Sequence, residues 1–370
     1  MDAIRAIAAF LVLAGHARML FFGEHQLHRN PAAAGASALG LGGQAVMVFF
    51  VLSGFLVGGS AWRSIQEGRW SWRKYLFQRM TRLWIVLIPA LIVGGIFDHV
   101  GMQFLYSNGG IYSAPPGQGM IEPTLGAAMG LKVLAGNAFF FQKILVPSYG
   151  TNAAMWSLAN EFWYYMLFPL LLLIFVGRTP VILRVLFGLI AACILMLIGI
   201  KIAGLFLVWL LGFGVSTLEL TIPPRFRRPA TIVALLQFLA VVTVLRRYQT
   251  HFVLTASAIG LSFALFLYVI LHARQPVNSL SYQRVATTLS KSSYTLYLVH
   301  LPFLVFLVGL VNKPWHAWPK RPTYLLLSIL FVVIAYSYAW IMYLLFERNT
   351  DAIRKRLFER RSLAAPAVRS

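Results

Sequence analysis

Polar surface is what this sequence has least of. Only 11% of its 370 residues are charged, against about 25% in a soluble globular domain. Ten residues are Asp or Glu, so few carboxylates exist to pair with cations or to ligate a metal. Cysteine is scarcer still. Cys193 stands alone inside an apolar run, which excludes a disulfide and a thiolate zinc site. The eight histidines are scattered without a short-range ligand pair, and no metal is expected. No phosphate loop, glycine-rich dinucleotide fingerprint or nucleophile elbow occurs. No polar stretch is long enough for a separate soluble domain. No small-residue cleavage site follows the first apolar run, so a removable leader is not expected either.

What is present is hydrocarbon. The chain is 59% hydrophobic, with a mean hydropathy of +0.74. Apolar runs near the length that crosses a bilayer core of about 30 Å recur from end to end. They predict ten spans, roughly 3–22, 39–61, 80–99, 156–177, 181–199, 202–220, 231–245, 253–271, 292–311 and 322–346. Segment 126–146 is a weaker apolar stretch, suited to a re-entrant or interfacial helix. The fold class is therefore all-α: a polytopic transmembrane bundle over residues 1–350, followed by a basic tail, 351–370.

The net charge of +22 would suit nucleic acid if it were clustered on one surface. Instead, 21 of the 32 Lys and Arg fall in segments 62–82, 178–184, 221–229, 272–291 and 347–370. These lie on one side if the spans alternate, which is the positive-inside pattern. Both termini are then cytoplasmic, and the basic residues face anionic lipid rather than nucleic acid. The longest outer loop is 100–155, with turn signals at Pro115, Pro116, Gly117 and Gly119.

An ionisable side chain inside a span costs at least about 2.5–3.5 kcal/mol on insertion scales, so each one is a functional candidate. Arg5 and His16 are eleven residues apart, about three turns, and share one helix face. That face offers a basic mouth and a proton-accepting imidazole deeper in. Arg79 and Arg82 are spaced i, i+3, and paired guanidiniums suit a phosphate or pyrophosphate. Glu161 and His16 both lie roughly 8–9 Å from the outer face by span counting, so the two are expected to meet. Tyr294, Tyr297 and His300 form an i, i+3 stripe on the ninth span. The glycine-rich FFVLSGFLVGGS of the second span is explained by close helix packing. A proton-coupled transporter could use the same His16, Glu161 and His300, although no inverted repeat is evident.

Five segments in order carry a resemblance to a known family. They are MDAIRAIAAFLVLAGHA, FFVLSGFL, QRMTRLWIVLIP, WSLANEFWYYMLFP and SYTLYLVHLP, with Glu347 and Arg348 closing the last span. Together they resemble the membrane-bound acyltransferase family 3, integral-membrane O-acyltransferases of bacteria. Gln78 departs from the pattern, standing where the family often has another arginine. The resemblance implies a multi-pass protein of the bacterial cytoplasmic (inner) membrane that takes acyl-CoA, chiefly acetyl-CoA, as donor. It implies His16 as catalytic base, with Glu161 or His300 assisting, and Arg5, Arg79, Arg82 and Tyr297 at the donor site. The implied acceptor is a hydroxyl of a carbohydrate or lipid-linked glycan, such as a surface polysaccharide.

Overall fold

The structure, a computed structural model, describes residues 1–23, 41–106, 108–113, 125–176, 179–219, 221–247, 251–273 and 280–363. Residues 24–38, the turn signals at Pro115 to Gly119 and residues 364–370 of the tail lie outside it. Every long element is helical. In chain order they are α1 (Asp2–Phe22), α2 (Leu41–Ser53) and α3 (Trp72–Phe104). Two short helices follow, α4 (Leu125–Ala128) and α5 (Leu131–Ala138), then α6 (Trp156–Phe175) and α7 (Val181–Thr217). The chain continues through α8 (Pro224–Arg247), α9 (Phe252–His272), α10 (Leu280–Lys291) and α11 (Ser293–Val311). It ends with α12 (Pro322–Leu345) and α13 (Thr350–Leu363).

Nine helical runs among the described residues are long and apolar enough to cross a membrane. The tenth expected span is hidden in α7. Gly199 adopts φ 71, ψ 169 in its middle, a backbone open to glycine and closed to L side chains. The break leaves two arms, 181–198 and 200–217, each about 27 Å long and so able to cross. The arms run in opposite directions. Gly188 of the first lies by Ile174, near the end of α6. In the second, Ile202 accepts a hydrogen bond from Tyr164, while Trp209 and Phe213 pack on Phe168, so this arm runs parallel to α6.

The even number of passes brings both chain ends to one face. Asp2 accepts hydrogen bonds from Ser290 and Thr287 at the end of α10. Glu347, just past α12, accepts from the backbone N–H of Thr295 at 3.1 Å and from its hydroxyl at 2.5 Å, in the first turn of α11. We call this the terminal face. The opposite face carries Trp315 and Trp318, which donate to the carbonyls of Leu20 and Phe21 at the end of α1.

The α2 run continues through a π-helical turn, Gly54–Gly58, into Gly59–Gln66. A Cβ at Gly54 would sit 1.8 Å from the Trp209 carbonyl oxygen, and one at Gly212 1.9 Å from that of Val51. The glycines therefore serve a backbone-to-backbone crossing of α2 and α7, as close packing of small residues predicts. The walls facing lipid are α8 and α12, where Ile232, Val233 and Leu236, or Leu326, Ile329 and Val333, point outward.

Segment 125–155 enters the bundle. Beside α3 it runs from Thr151, bound to Asp98, to Ala138, whose carbonyl accepts from the Trp84 indole. That is fourteen residues of α3, roughly 21 Å of depth. At the inner end Phe140 is fully buried, stacks on Phe162, and its carbonyl accepts from the Trp163 indole. Irregular backbone inside a membrane protein needs internal hydrogen-bond partners. Buried polar side chains supply them here. The Asn137 amide donates to the Val133 and Pro147 carbonyls and its oxygen accepts from Tyr149 N–H. Gln142 donates to the Met155 carbonyl, Asn152 to that of Leu298, and Asp98 receives both the N–H and the hydroxyl of Thr151.

This inward detour corrects a depth expectation. The α6 helix does not start at the opposite face. It starts beside Tyr297, one turn into α11, because the preceding chain has already descended. Glu161 consequently lies on the terminal side of the bundle and not level with His16. The α3 helix also begins earlier than expected. Ser71 caps it by accepting from Lys74 N–H, which places Arg79 and Arg82 within the helix and not at its start.

Candidate functional site

A cavity of about 130 Å³ opens between α1, α2, α3, α6 and α11. Arg5, Arg79, Arg82, Glu161 and Tyr297 all line it, together with Ser157, Tyr165 and Tyr294. Five of the seven residues expected at the site thus share one cavity. Apolar side chains, among them Phe49, Leu56 and Leu83, complete its wall.

The arginines are held differently. Arg5 is partly buried and lies 3.9 Å from Asp2, one turn earlier on α1. Arg79 sits over the rings of Tyr75 and Tyr165, at 5.6 and 6.0 Å from their centroids. Such stacking suits a guanidinium better than an ammonium. Its Nε is buried with no hydrogen-bond partner among the described residues, so a donor remains to be satisfied. Arg82 is exposed, within electrostatic reach of both Glu161 and Glu347. Three cations around one carboxylate leave the cavity positive and suited to an anionic ligand.

Glu161 is fixed from behind. The Tyr165 hydroxyl donates to Glu161 Oε2 at 3.2 Å. That hydroxyl is 3.1 Å from Ser53 Oγ, which in turn accepts from the Trp209 indole at 3.1 Å. Donor roles can be assigned along the chain: indole to serine, serine to tyrosine, tyrosine to carboxylate. The glycine crossing at Gly54 and Gly212 is what lets the indole reach Ser53. Sequence reading missed Ser53, Tyr165 and Trp209 in this role, because nothing in an apolar heptad announces a partner more than a hundred residues away.

His16 and His300 do not line the cavity. They lie beyond Tyr297, whose ring centroid is 6.3 Å from that of His300. The two imidazoles stack with centroids 4.9 Å apart, and His16 Nδ1 is 2.6 Å from His300 Nε2. His300 is fully buried, and its Nδ1 is 2.8 Å from the Leu296 carbonyl. A carbonyl only accepts, so His300 Nδ1 carries the proton. In neutral His300 the lone pair is then on Nε2, which must accept from His16 Nδ1–H. His16 is left with its lone pair on Nε2. A backbone carbonyl thus sets the tautomers of two histidines in series. The partner expected for His16 was Glu161 or His300; the structure brings His300 to it, whereas Glu161 lies in the cavity beside Tyr165.

On the far side of the fold, burial pushes the Tyr112 phenol well above its usual range, and the Asp98 carboxylate adds to the shift. That phenol packs on Gly101 and Gly309, where an added Cβ would meet it at 2.1 and 3.1 Å. It belongs to packing at the opposite face and not to the cavity.

The profile of the acyltransferase 3 domain aligns with residues 1–340. No curated protein and no solved structure matches the chain. The aligned region contains α1 to α11 and most of α12, and so every residue of the cavity and both histidines. The chain belongs to the acyltransferase family 3 and is a polytopic membrane acyltransferase.

Proposed function

We propose that this protein is an O-acyltransferase of the bacterial inner membrane. It moves an acyl group, chiefly acetyl, from cytoplasmic acyl-CoA to a hydroxyl of a carbohydrate-type acceptor. Surface polysaccharide and lipid-linked glycan are the acceptor classes in view. The donor's phosphates meet Arg79, Arg82 and Arg5 at the terminal face, and its thioester arm reaches inward along the apolar wall. His16 Nε2 takes the proton of the acceptor hydroxyl as the oxygen attacks the thioester carbonyl. The C–S bond breaks, and the proton passes from His16 to the departing thiolate. Products are the ester and free CoA thiol. His300 is a positioning residue that holds His16 in the required tautomer and shares the charge as it forms.

The observation that carries this reading is the ordered imidazole pair, with its lone pair directed to His16 Nε2, one residue layer beyond a positive cavity. The test is release of CoA thiol from labelled acetyl-CoA by purified protein, with and without a cell-envelope glycan fraction. Label should enter the glycan, and His16→Ala should abolish its transfer. Wild-type protein that binds acetyl-CoA yet transfers nothing to any envelope fraction would overturn the reading.

A further inference from the structure

Between the cavity and the histidines stands a bar of hydrogen bonds. The Tyr297 hydroxyl donates its one proton to the Ala154 carbonyl at 2.7 Å. Ser157 Oγ, at 2.6 Å, must therefore donate to the Tyr297 oxygen. The bar ties α11 to the first turn of α6. The Tyr297 ring has Phe49 on one side, at 6.0 Å and 67°, and His300 on the other. Tyr297 and Ser157 border the cavity and retain 8% and 6% exposure, whereas Leu298, His300 and Leu301 behind them have none; His16 is half-buried, and the surface it keeps is not part of the cavity wall. Accessible space from the terminal side ends at this tyrosine.

We infer that Tyr297 is a gate and the depth stop of the acyl pocket. In its closed position it separates the imidazole pair from cavity water and sets how long an acyl chain can be seated. The inference rests on the proposed entry of a thioester into this cavity. A reacting carbonyl must come within about 3–3.5 Å of its attacking oxygen, and His16 must reach the proton of that oxygen. With Tyr297 bonded to Ala154, the ring occupies the intervening layer. Rotation of the side chain breaks both bonds of the bar and joins the two spaces. A gate of this kind makes chemical sense for a thioester enzyme. Water that reached His16 beside a seated donor would attack the carbonyl, release CoA thiol and leave the free acid.

The gate is read in two independent ways. First, thioester hydrolysis without acceptor is compared with transfer for acetyl-, butyryl- and hexanoyl-CoA. Tyr297→Phe removes the bar and keeps the ring, and should raise the ratio of hydrolysis to transfer about tenfold. Tyr297→Ala should raise it further and shift preference to the longer chains. Second, in a Cys193→Ser, His300→Cys background, a small thiol reagent should label position 300 at least tenfold faster once Tyr297→Ala is added. Unchanged labelling in a variant that keeps its helical circular dichroism overturns the gate, whatever the turnover. Faster labelling with an inactive wild-type protein supports the gate and removes the acyl-transfer reading instead. An unchanged hydrolysis ratio and chain-length profile in both variants, with active wild type, also overturns it.

Discussion

Around residues 137–152 and around the cavity, the bundle buries polar side chains among apolar ones, but their hydrogen bonds end in different places. Asn137, Gln142 and Asp98 end on the backbone of the descending segment, which a membrane interior would otherwise leave unsatisfied, and Asn152, from within it, ends on the Leu298 carbonyl of α11. At the cavity the arginines face open space, and Arg79 keeps a buried nitrogen without a partner among the described residues. Polar groups that close on backbone build a scaffold. Polar groups left facing a void mark where a ligand completes them. The imidazole pair is intermediate: one end is closed on the Leu296 carbonyl, and from there the hydrogen bond runs ring to ring, from His300 to His16.

That contrast can be pressed experimentally. The largest effect is expected for His16→Ala, which should lower kcat by about 10²–10⁴-fold, the contribution of a positioned base. Its thermal midpoint in detergent should fall less than that of the scaffold variant below, since one hydrogen bond is lost and not three. Next comes Asn137→Ala on the scaffold side. Losing three hydrogen bonds at a site with no exposure should cost about 1–3 kcal/mol of stability. Donor KM of the folded fraction should stay at the wild-type value, and a KM that rose with the loss of stability would blur the two regions. The smallest effect is expected for Arg79→Lys. Charge survives, but the planar fork and its seat over two tyrosines do not. Donor KM should rise about tenfold, or about 1.4 kcal/mol, with kcat kept. A fall in kcat at constant KM would move Arg79 from donor binding to the transfer step.

The helices and most of the cavity were readable from the sequence for one reason: an ionisable group among apolar neighbours is visible without a structure. Arg5, Arg79, Arg82, Glu161 and His300 all stood out that way. Relative depth was not readable. Counting from loop ends put Glu161 beside His16, since nothing in 126–146 said how far the chain dips before α6 begins. The relay through Trp209, Ser53 and Tyr165 was equally hidden, because it depends on where two glycines let α2 and α7 touch. The break in α7 left a trace, in that 181–220 is too long for one crossing. Which residue would turn was settled only by the positive φ of Gly199.

Gly199 has a consequence far from its own position. Were α7 one straight rod, everything after residue 217 would emerge on the other side of the bilayer. Residue 300 would then sit on a helix that descends where it should ascend, and the second imidazole would never come alongside the first. Parity of the whole C-terminal half, and with it the pairing of two side chains 284 positions apart, hangs on one residue that tolerates a left-handed bend. During biosynthesis the 181–217 hairpin must therefore enter the bilayer folded back on itself before the remaining helices can be oriented.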